Sequence, residues 1–145
     1  MALSSPACMA GRAGDRGYPC PCCGYMVFGG PPGSYEICPI CFWEDDAVEL
    51  EFATSDIGGA NALPLARAQS NYARIGACDP RSGSHVRPPR GDEPRDPLWR
   101  PVDAERDVFE DIADPARARA PANDETLYYW RPAFWRLRPA TRESA

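Results

Sequence analysis

The sequence contains no lysine and only one histidine, His85, among its 145 residues. All sixteen positively charged side chains are therefore arginines, and we attribute this bias to genomic base composition instead of to a binding site. A single histidine excludes any catalytic or metal site that needs two. Because His85 lies alone in a proline-rich stretch, we interpret it as a surface residue.

Long apolar runs are also missing. The first residues, MALSSPACMAGRAGDRG, lack the basic start and apolar stretch of a signal peptide, and no segment approaches the length of a membrane span. We therefore expect a cytoplasmic protein with no membrane contact. In a reducing compartment, seven cysteines indicate metal or thiol chemistry more strongly than disulfides.

Catalytic motifs are absent as well. The chain has no glycine-rich phosphate loop, no nucleophile elbow and no internal repeat. It does have seventeen prolines and twelve glycines, which predict turns, extended segments and loops around a small core. The length is that of one small domain with extensions.

Two Cys-x-x-Cys pairs dominate what is present. The stretch YPCPCCGYMVFGGPPGSYEICPICFWEDD holds Cys20 with Cys23 and, after fourteen further residues, Cys38 with Cys41. Two short apolar runs, 25–28 and 34–37, flank a Gly-Gly-Pro-Pro-Gly turn between the pairs. We predict a β-hairpin made of these two runs, which brings the pairs together as in a zinc ribbon.

This spacing predicts a tetrahedral zinc site, with one ion per chain. Two thiolates reach adjacent corners of a tetrahedron when a tight turn separates them, and a small residue after the second cysteine relieves crowding. A disulfide framework or unliganded thiols are the alternatives. Metal binding is expected to supply most of the local folding free energy, on the order of 10 kcal/mol by analogy with zinc fingers.

The remaining cysteines have less certain roles. Cys22 lies between two predicted ligands, so it is a packed apolar side chain, an alternative ligand, or a thiol made reactive by the neighbouring metal. Cys78 is interpreted as an ordinary packed thiol and Cys8 as a free one. The aromatic pair Phe42 and Trp43 is expected to shield the sulfur atoms from water.

Acidic residues concentrate after the second cysteine pair. Residues 17–80 carry eight acidic side chains against two arginines. Such a surface repels a phosphate backbone, so nucleic-acid binding by this part is disfavoured. We predict a solvated surface that contacts a protein partner of unknown identity, formed by Glu44, Asp45, Asp46, Glu49 and Glu51.

The rest of the chain divides by composition. Residues 1–16 are expected to form a disordered leader and 17–79 the metal-binding domain, which includes a helix at 64–75 that ends at Gly76. Residues 80–101 predict a proline-rich strap, anchored on the domain by Trp99. The extension 102–145 is expected to be largely irregular, with a short helix at 103–113. The fold class is therefore small α+β.

The aromatic and arginine-rich end, LYYWRPAFWRLRP, admits two interpretations. Its rings fill a groove on this chain or on a second copy, which is the interpretation we favour. Alternatively, the segment stacks on nucleic-acid bases through Trp130 and Trp135, with arginines on the phosphates. The arginines of this alternative are Arg131, Arg136 and Arg138.

Several of these motifs together resemble a known family. The runs YPCPCCGY, YEICPICFWEDD, GGANALPLARAQSNYARIGAC and HVRPPRGDEPRDPLW, over residues 17–99, are similar to the bacterial cysteine-rich CPCC domain. The resemblance implies a zinc-ribbon-like domain and a bound metal, and it implies no mechanism. Two departures are Pro64, where a serine cap is usual, and the longer part of the chain beyond Trp99.

These observations favour a zinc-stabilised, non-enzymatic module that contacts another protein. The sequence offers no set of nucleophile, base and oxyanion donor. The first alternative is a thiol-dependent enzyme or redox sensor that uses Cys22. The second is a nucleic-acid-binding ribbon that acts through the C-terminal segment.

Overall fold

The computed structural model describes residues 17–109 and 122–137. The strands are β1 (Tyr18–Pro19) and β2 (Met26–Phe28), and the α-helices are α1 (Ala47–Glu51) and α2 (Leu65–Ile75). Three 3₁₀ helices follow, at Pro80–His85, Glu125–Leu127 and Trp135–Leu137. The predicted leader, Cys8 and Arg138 lie outside the described residues. Within the described ranges the small α+β architecture is confirmed.

Each cysteine pair lies in the turn of its own short antiparallel pairing. Strands β1 and β2 enclose the first pair, with Tyr18 opposite Phe28. An isolated bridge between Ile37 and Glu44 encloses the second. The sequence predicts a hairpin between 25–28 and 34–37, and that pairing is wrong. Met26–Phe28 pairs instead with Tyr18–Pro19, and Ile37 pairs with Glu44. The turn through each pair already brings its two flanks within hydrogen-bonding distance, as in the 2.8 Å bond from the N–H of Cys38 to the carbonyl of Trp43.

The proline-rich strap lies against the first cysteine pair. After the 3₁₀ helix, the chain extends beside β2, where the N–H of Met26 donates to the carbonyl of Pro94 at 2.8 Å. Tyr25 and Arg95 form a further antiparallel bridge. The indole N–H of Trp99 donates to the carbonyl of Pro21 at 2.9 Å, which confirms the predicted anchor.

Helix α2 begins one residue later than predicted and ends where predicted. Pro64 precedes it, and Gly76 closes it in the left-handed conformation at φ 75°. Leu65 and Ala68 are buried, whereas Ile75, on the predicted apolar face, is exposed. Among the described residues, neither this helix nor any other has the length and apolar character of a transmembrane span.

The C-terminal segment completes the hydrophobic core of the same chain. Leu127, Tyr128, Tyr129 and Trp130 are buried and join the cluster that surrounds the cysteines. Of the two locations that the favoured interpretation left open, this chain or a second copy, the rings of Tyr128, Tyr129 and Trp130 occupy the first. The helix predicted at 103–113 is replaced by a turn over 104–106, and the part of it beyond 109 lies outside the described residues.

Replacing Gly24 by Ala is expected to lower the free energy of unfolding by about 2–4 kcal/mol. Gly24 has φ 84°, and a Cβ there would lie 2.6 Å from Cδ2 of Trp99. The left-handed conformation costs a non-glycine residue about 1 kcal/mol, and the displaced indole adds about 1–3 kcal/mol. Gly58→Ala is the matched control, because Gly58 has φ 73° and nothing within 4 Å of its added Cβ. Equal effects of the two substitutions in urea titrations would contradict the contact with Trp99.

Candidate metal centre

The structure brings together the four cysteines that the sequence arranges in pairs. Cys20, Cys23, Cys38 and Cys41 are fully buried, and their Sγ atoms all lie within 4.8 Å of one another. Across the pairs, the Sγ atoms of Cys20 and Cys41 are 3.6 Å apart, and those of Cys23 and Cys38 are 3.8 Å apart. A tetrahedral ion with bonds of about 2.3 Å to sulfur requires separations of about 3.8 Å. The four thiols could therefore hold one metal ion.

The two turns that carry the cysteines have the same backbone form. In each, the N–H of the residue after the second cysteine donates to the carbonyl of the first, from Gly24 at 2.7 Å and from Phe42 at 2.9 Å. Both residues adopt the left-handed backbone conformation. Glycine does so without strain, whereas Phe42, at φ 75°, carries a Cβ that this conformation crowds. That conformation costs Phe42 about 1 kcal/mol, so the second turn tolerates strain that glycine avoids in the first.

Backbone N–H groups also point at one sulfur atom. Those of Ile40 and Cys41 donate to Sγ of Cys38 at 3.3 and 3.4 Å. Burial opposes ionisation of Cys38, but hydrogen bonds from the other three thiols and from the N–H of Cys41 hold the pKa of Cys38 well below its usual range. The two backbone donors therefore favour the thiolate form of Cys38.

Cys20 and Cys41 need a nearby positive charge to ionise. Burial raises the pKa of Cys20 and of Cys41 well above the usual thiol value, and thiols of the same cluster raise it further. Buried thiolates close together are costly unless a positive charge compensates them. A divalent ion at the centre of the cluster supplies that charge, so the donor set fits a metal.

Cys22 is fully buried and lies outside the four-sulfur cluster. Burial raises the pKa of its thiol, while a hydrogen bond with Cys41 opposes that shift. The structure thus places it as a packed neighbour of the site. An accessible, ionised thiol, which the reactive-cysteine hypothesis requires, does not match this environment.

Cys78 is also buried beside the site. Its backbone N–H donates to the carbonyl of Cys41 at 2.9 Å, and burial raises the pKa of its thiol to about 12. Like Cys22, it is a free thiol outside the cluster. It therefore supports the second turn through its backbone, as the packed thiol that the sequence predicts.

Aromatic side chains cover the cluster. Trp43 is buried in the same core as the cysteines, and Phe42 packs against that core. The ring of Phe42 stacks on the exposed His85 with 4.7 Å between ring centroids. The expectation that Phe42 and Trp43 shield the sulfurs agrees with this packing, and His85 lies at the surface as predicted.

The acidic stretch is not the exposed surface that the sequence suggests. Asp45, Asp46 and Glu49 are buried, while Glu44 and Glu51 are half-buried. The predicted solvated surface is therefore wrong. Backbone N–H groups and polar side chains inside the protein donate hydrogen bonds to the buried carboxylates. An exposed acidic surface therefore does not form from these five residues.

Asp46 shows how these carboxylates stabilise the fold. It caps the N-terminus of α1 by accepting hydrogen bonds from the N–H groups of Val48 and Glu49 at 2.9 and 3.3 Å. Its second oxygen accepts from the N–H of Ala60 at 3.0 Å. One carboxylate thus joins α1 to the loop that precedes α2.

Asp45 and Glu49 have similar internal roles. Asp45 accepts from the hydroxyl of Ser34 at 2.6 Å, and burial raises its pKa to about 6. Glu49 accepts from the backbone and side-chain amides of Asn61 at 3.0 and 2.7 Å, and burial raises its pKa. The sequence gives no sign that Asn61 has this role, because its partners lie in a distant segment.

Gln69 is a second residue that sequence reasoning missed. Its side-chain amide donates to the carbonyl of Pro21 at 3.0 Å and to the hydroxyl of Tyr129 at 2.8 Å. Its carbonyl oxygen accepts from the N–H of Val102 at 2.8 Å. This buried side chain therefore connects the first cysteine turn to the residue that follows the strap and to the C-terminal segment.

Comparison with protein families identifies the chain. A family model described as Cysteine-rich CPCC matches residues 18–93, slightly more than half of the chain. Comparisons with curated proteins and with solved structures gave no significant match. The matched range contains all four cysteines of the cluster and the whole of α2. The chain therefore belongs to the Cysteine-rich CPCC family.

Proposed function

We propose that this protein is a zinc-stabilised, non-enzymatic module that binds another protein. The observation that carries the proposal is the cluster of Cys20, Cys23, Cys38 and Cys41, four fully buried thiols at tetrahedral separations. Four sulfur donors leave no position for water or substrate, which is the arrangement of structural zinc sites. The metal would hold the two cysteine turns together, and the surface around them would contact the partner.

A structural ion would stabilise secondary-structure elements that are very short. Strands β1 and β2 have two and three residues, and α1 has five. Elements this short are marginal by themselves. Binding of an ion by thiolates from both turns supplies folding free energy directly. The metal is therefore proposed as a structural support and not as a reactive centre.

The non-enzymatic part of the proposal follows from the state of the other thiols. Cys22 and Cys78 are further thiols in the core that surrounds the cluster, and both are buried. A catalytic thiol needs access to its substrate and an environment that favours the thiolate. Neither condition is met, which leaves binding as the activity that the described surface supports best.

Native mass spectrometry of the protein purified from cells would test the metal. We expect one zinc ion per chain, bound by the four cysteines as thiolates. Because four thiolates also bind iron, elemental analysis and the visible absorption of ferric thiolates are measured in parallel. The variants Cys22→Ala and Cys78→Ala are expected to retain one zinc. Iron in place of zinc, or disulfides between the four cysteines, would refute the proposed cofactor.

A further inference from the structure

A groove of about 610 Å³ lies between α2 and the strap, on the side of the first cysteine turn. Aromatic side chains from three separate parts of the chain form its walls, namely Tyr25, Tyr72 and Trp99. Pro101, at the end of the strap, and the following Val102 continue the wall. Its volume and its apolar lining are those of sites that bind a ligand or a peptide segment.

Among the described residues that line the groove, Arg95 is the single charged one. Its guanidinium group lies over two rings, with the central carbon 4.8 Å from the centroid of Tyr25 and 4.6 Å from that of Trp99. Its Nε–H donates to the carbonyl of Cys23 at 2.8 Å. The exposed side chain is thus braced by two aromatic rings and by the backbone of the first cysteine turn.

The rest of the guanidinium group is available for a ligand. Within the described ranges, the structure shows no carboxylate paired with Arg95 and no acceptor for its two terminal nitrogens. Other arginines of the chain are paired, as Arg87 is with Glu93 and Arg131 with Asp96. Arg67 is exposed on α2 but is not held by rings. Arg95 therefore differs from them in being both fixed and unpaired.

A fixed guanidinium group is a preorganised receptor for a carboxylate. Two parallel N–H groups match the two oxygen atoms of a carboxylate, and little side-chain entropy remains to be lost on binding. Phosphate sites usually combine several cationic groups, whereas this groove offers one. The single positive charge beside aromatic walls thus matches one carboxylate next to apolar side chains.

We propose that this groove binds an extended peptide segment of a partner protein that places an Asp or Glu side chain on Arg95 and an adjacent apolar side chain against Tyr72 and Trp99. This inference rests on the proposed interaction function and assigns it a surface. It also gives the metal a role in recognition. Arg95 donates a hydrogen bond to the backbone carbonyl of Cys23, so a metal that orders the first cysteine turn would also position the guanidinium group of Arg95.

The test uses full-length, zinc-loaded protein and a phage library of random twelve-residue peptides as the probe. Recovered peptides are expected to contain Asp or Glu beside an apolar residue. Binding of the synthetic peptides is then measured by fluorescence polarisation. Arg95→Gln is expected to weaken binding at least about tenfold, which corresponds to loss of a hydrogen-bonded charge pair. Changing the peptide's acidic residue to its amide should add little further loss in the Arg95→Gln variant.

Two other variants distinguish a loss of binding from a loss of folding. Ser70 is exposed on α2 and lines the groove, so Ser70→Glu is expected to weaken binding of an acidic peptide, either by repelling its carboxylate or by pairing with Arg95 in its place. Arg67→Gln removes the same charge away from the groove and should change the affinity less than about twofold. Zinc content is measured for each variant.

Three results would overturn the inference. The first is that the library yields no acidic peptide. The second is that neither Arg95→Gln nor Ser70→Glu changes the affinity of the recovered peptides. The third is a dimer that Arg95→Gln dissociates, because the groove would then be occupied by a second copy of this chain. If the zinc-loaded protein binds peptides elsewhere, only this groove assignment fails. If the purified protein holds no zinc, the proposed function itself fails.

Discussion

Replacing Cys41 by Ser is expected to abolish stoichiometric zinc binding and to leave the metal-binding region unfolded at 25 °C. The substitution removes one of four buried sulfur donors and leaves three thiols without a complete site. Structural zinc contributes on the order of 10 kcal/mol in small domains, which is comparable to the entire stability of a typical fold. Far-UV circular dichroism, near-UV circular dichroism and zinc content would all register the change.

The matched controls are Cys22→Ala and Cys78→Ala. Both positions are buried cysteines next to the cluster, but neither belongs to it. Each control should lose no more than about 1–2 kcal/mol, which is the cost of a small cavity, and should retain one zinc. A folded, zinc-loaded Cys41→Ser protein, or a zinc-free Cys22→Ala protein, would show that the ligands are assigned incorrectly.

Replacing Trp130 by Ala is expected to lower the free energy of unfolding by about 3–5 kcal/mol. This indole is buried, packs edge-on against Tyr129 with 4.9 Å between centroids, and donates its N–H to Asp96 at 2.8 Å. Its removal would create a large cavity and take a donor from a buried carboxylate. Urea titration of the zinc-loaded protein measures the loss.

The control for this prediction is Trp135→Ala, five residues further along the same segment. Trp135 is half-buried, and Arg136 lies over its ring at 5.0 Å. Its removal should cost less than about 1.5 kcal/mol. If the two substitutions had equal effects, or if Trp130→Ala left stability unchanged, the C-terminal segment would not be part of the core.

Burial of Trp130 also bears on the nucleic-acid hypothesis. Base stacking needs an exposed ring, whereas Trp130 is 7% exposed and packs inside the protein. Arg131 is paired with Asp96 at 2.9 Å. Of the residues that this hypothesis requires, Trp130 and Arg131 are therefore engaged in holding the C-terminal segment on the domain, and Arg138 lies outside the described residues.

Local pattern was sufficient to predict several features. The Cys-x-x-Cys spacing identified Cys20, Cys23, Cys38 and Cys41 as one cluster because a two-residue separation constrains thiol positions through the backbone of a single turn. Helix α2 was predictable since its capping glycine and apolar spacing act over a few neighbouring residues. Those are local properties, and the sequence encodes them directly.

Other features depended on contacts between distant segments. The acidic residues 44–51 looked solvated, but Asn61 and the N–H groups of the loop before α2 satisfy their carboxylates in the interior. The strap likewise adds a long-range pairing, beside β2 and next to the first cysteine turn, that local sequence pattern does not show. Charge alone does not show which carboxylates find internal donors.

The sequence by itself determined the donor set, since four cysteines at this spacing can converge through two short turns. Only the tertiary structure decided that the C-terminal rings close the core and that Arg95 is fixed between Tyr25 and Trp99. The physical reason is distance along the chain. Thiol spacing acts within a turn, whereas the clamp on Arg95 joins residues about seventy positions apart, and their meeting depends on how every intervening segment packs.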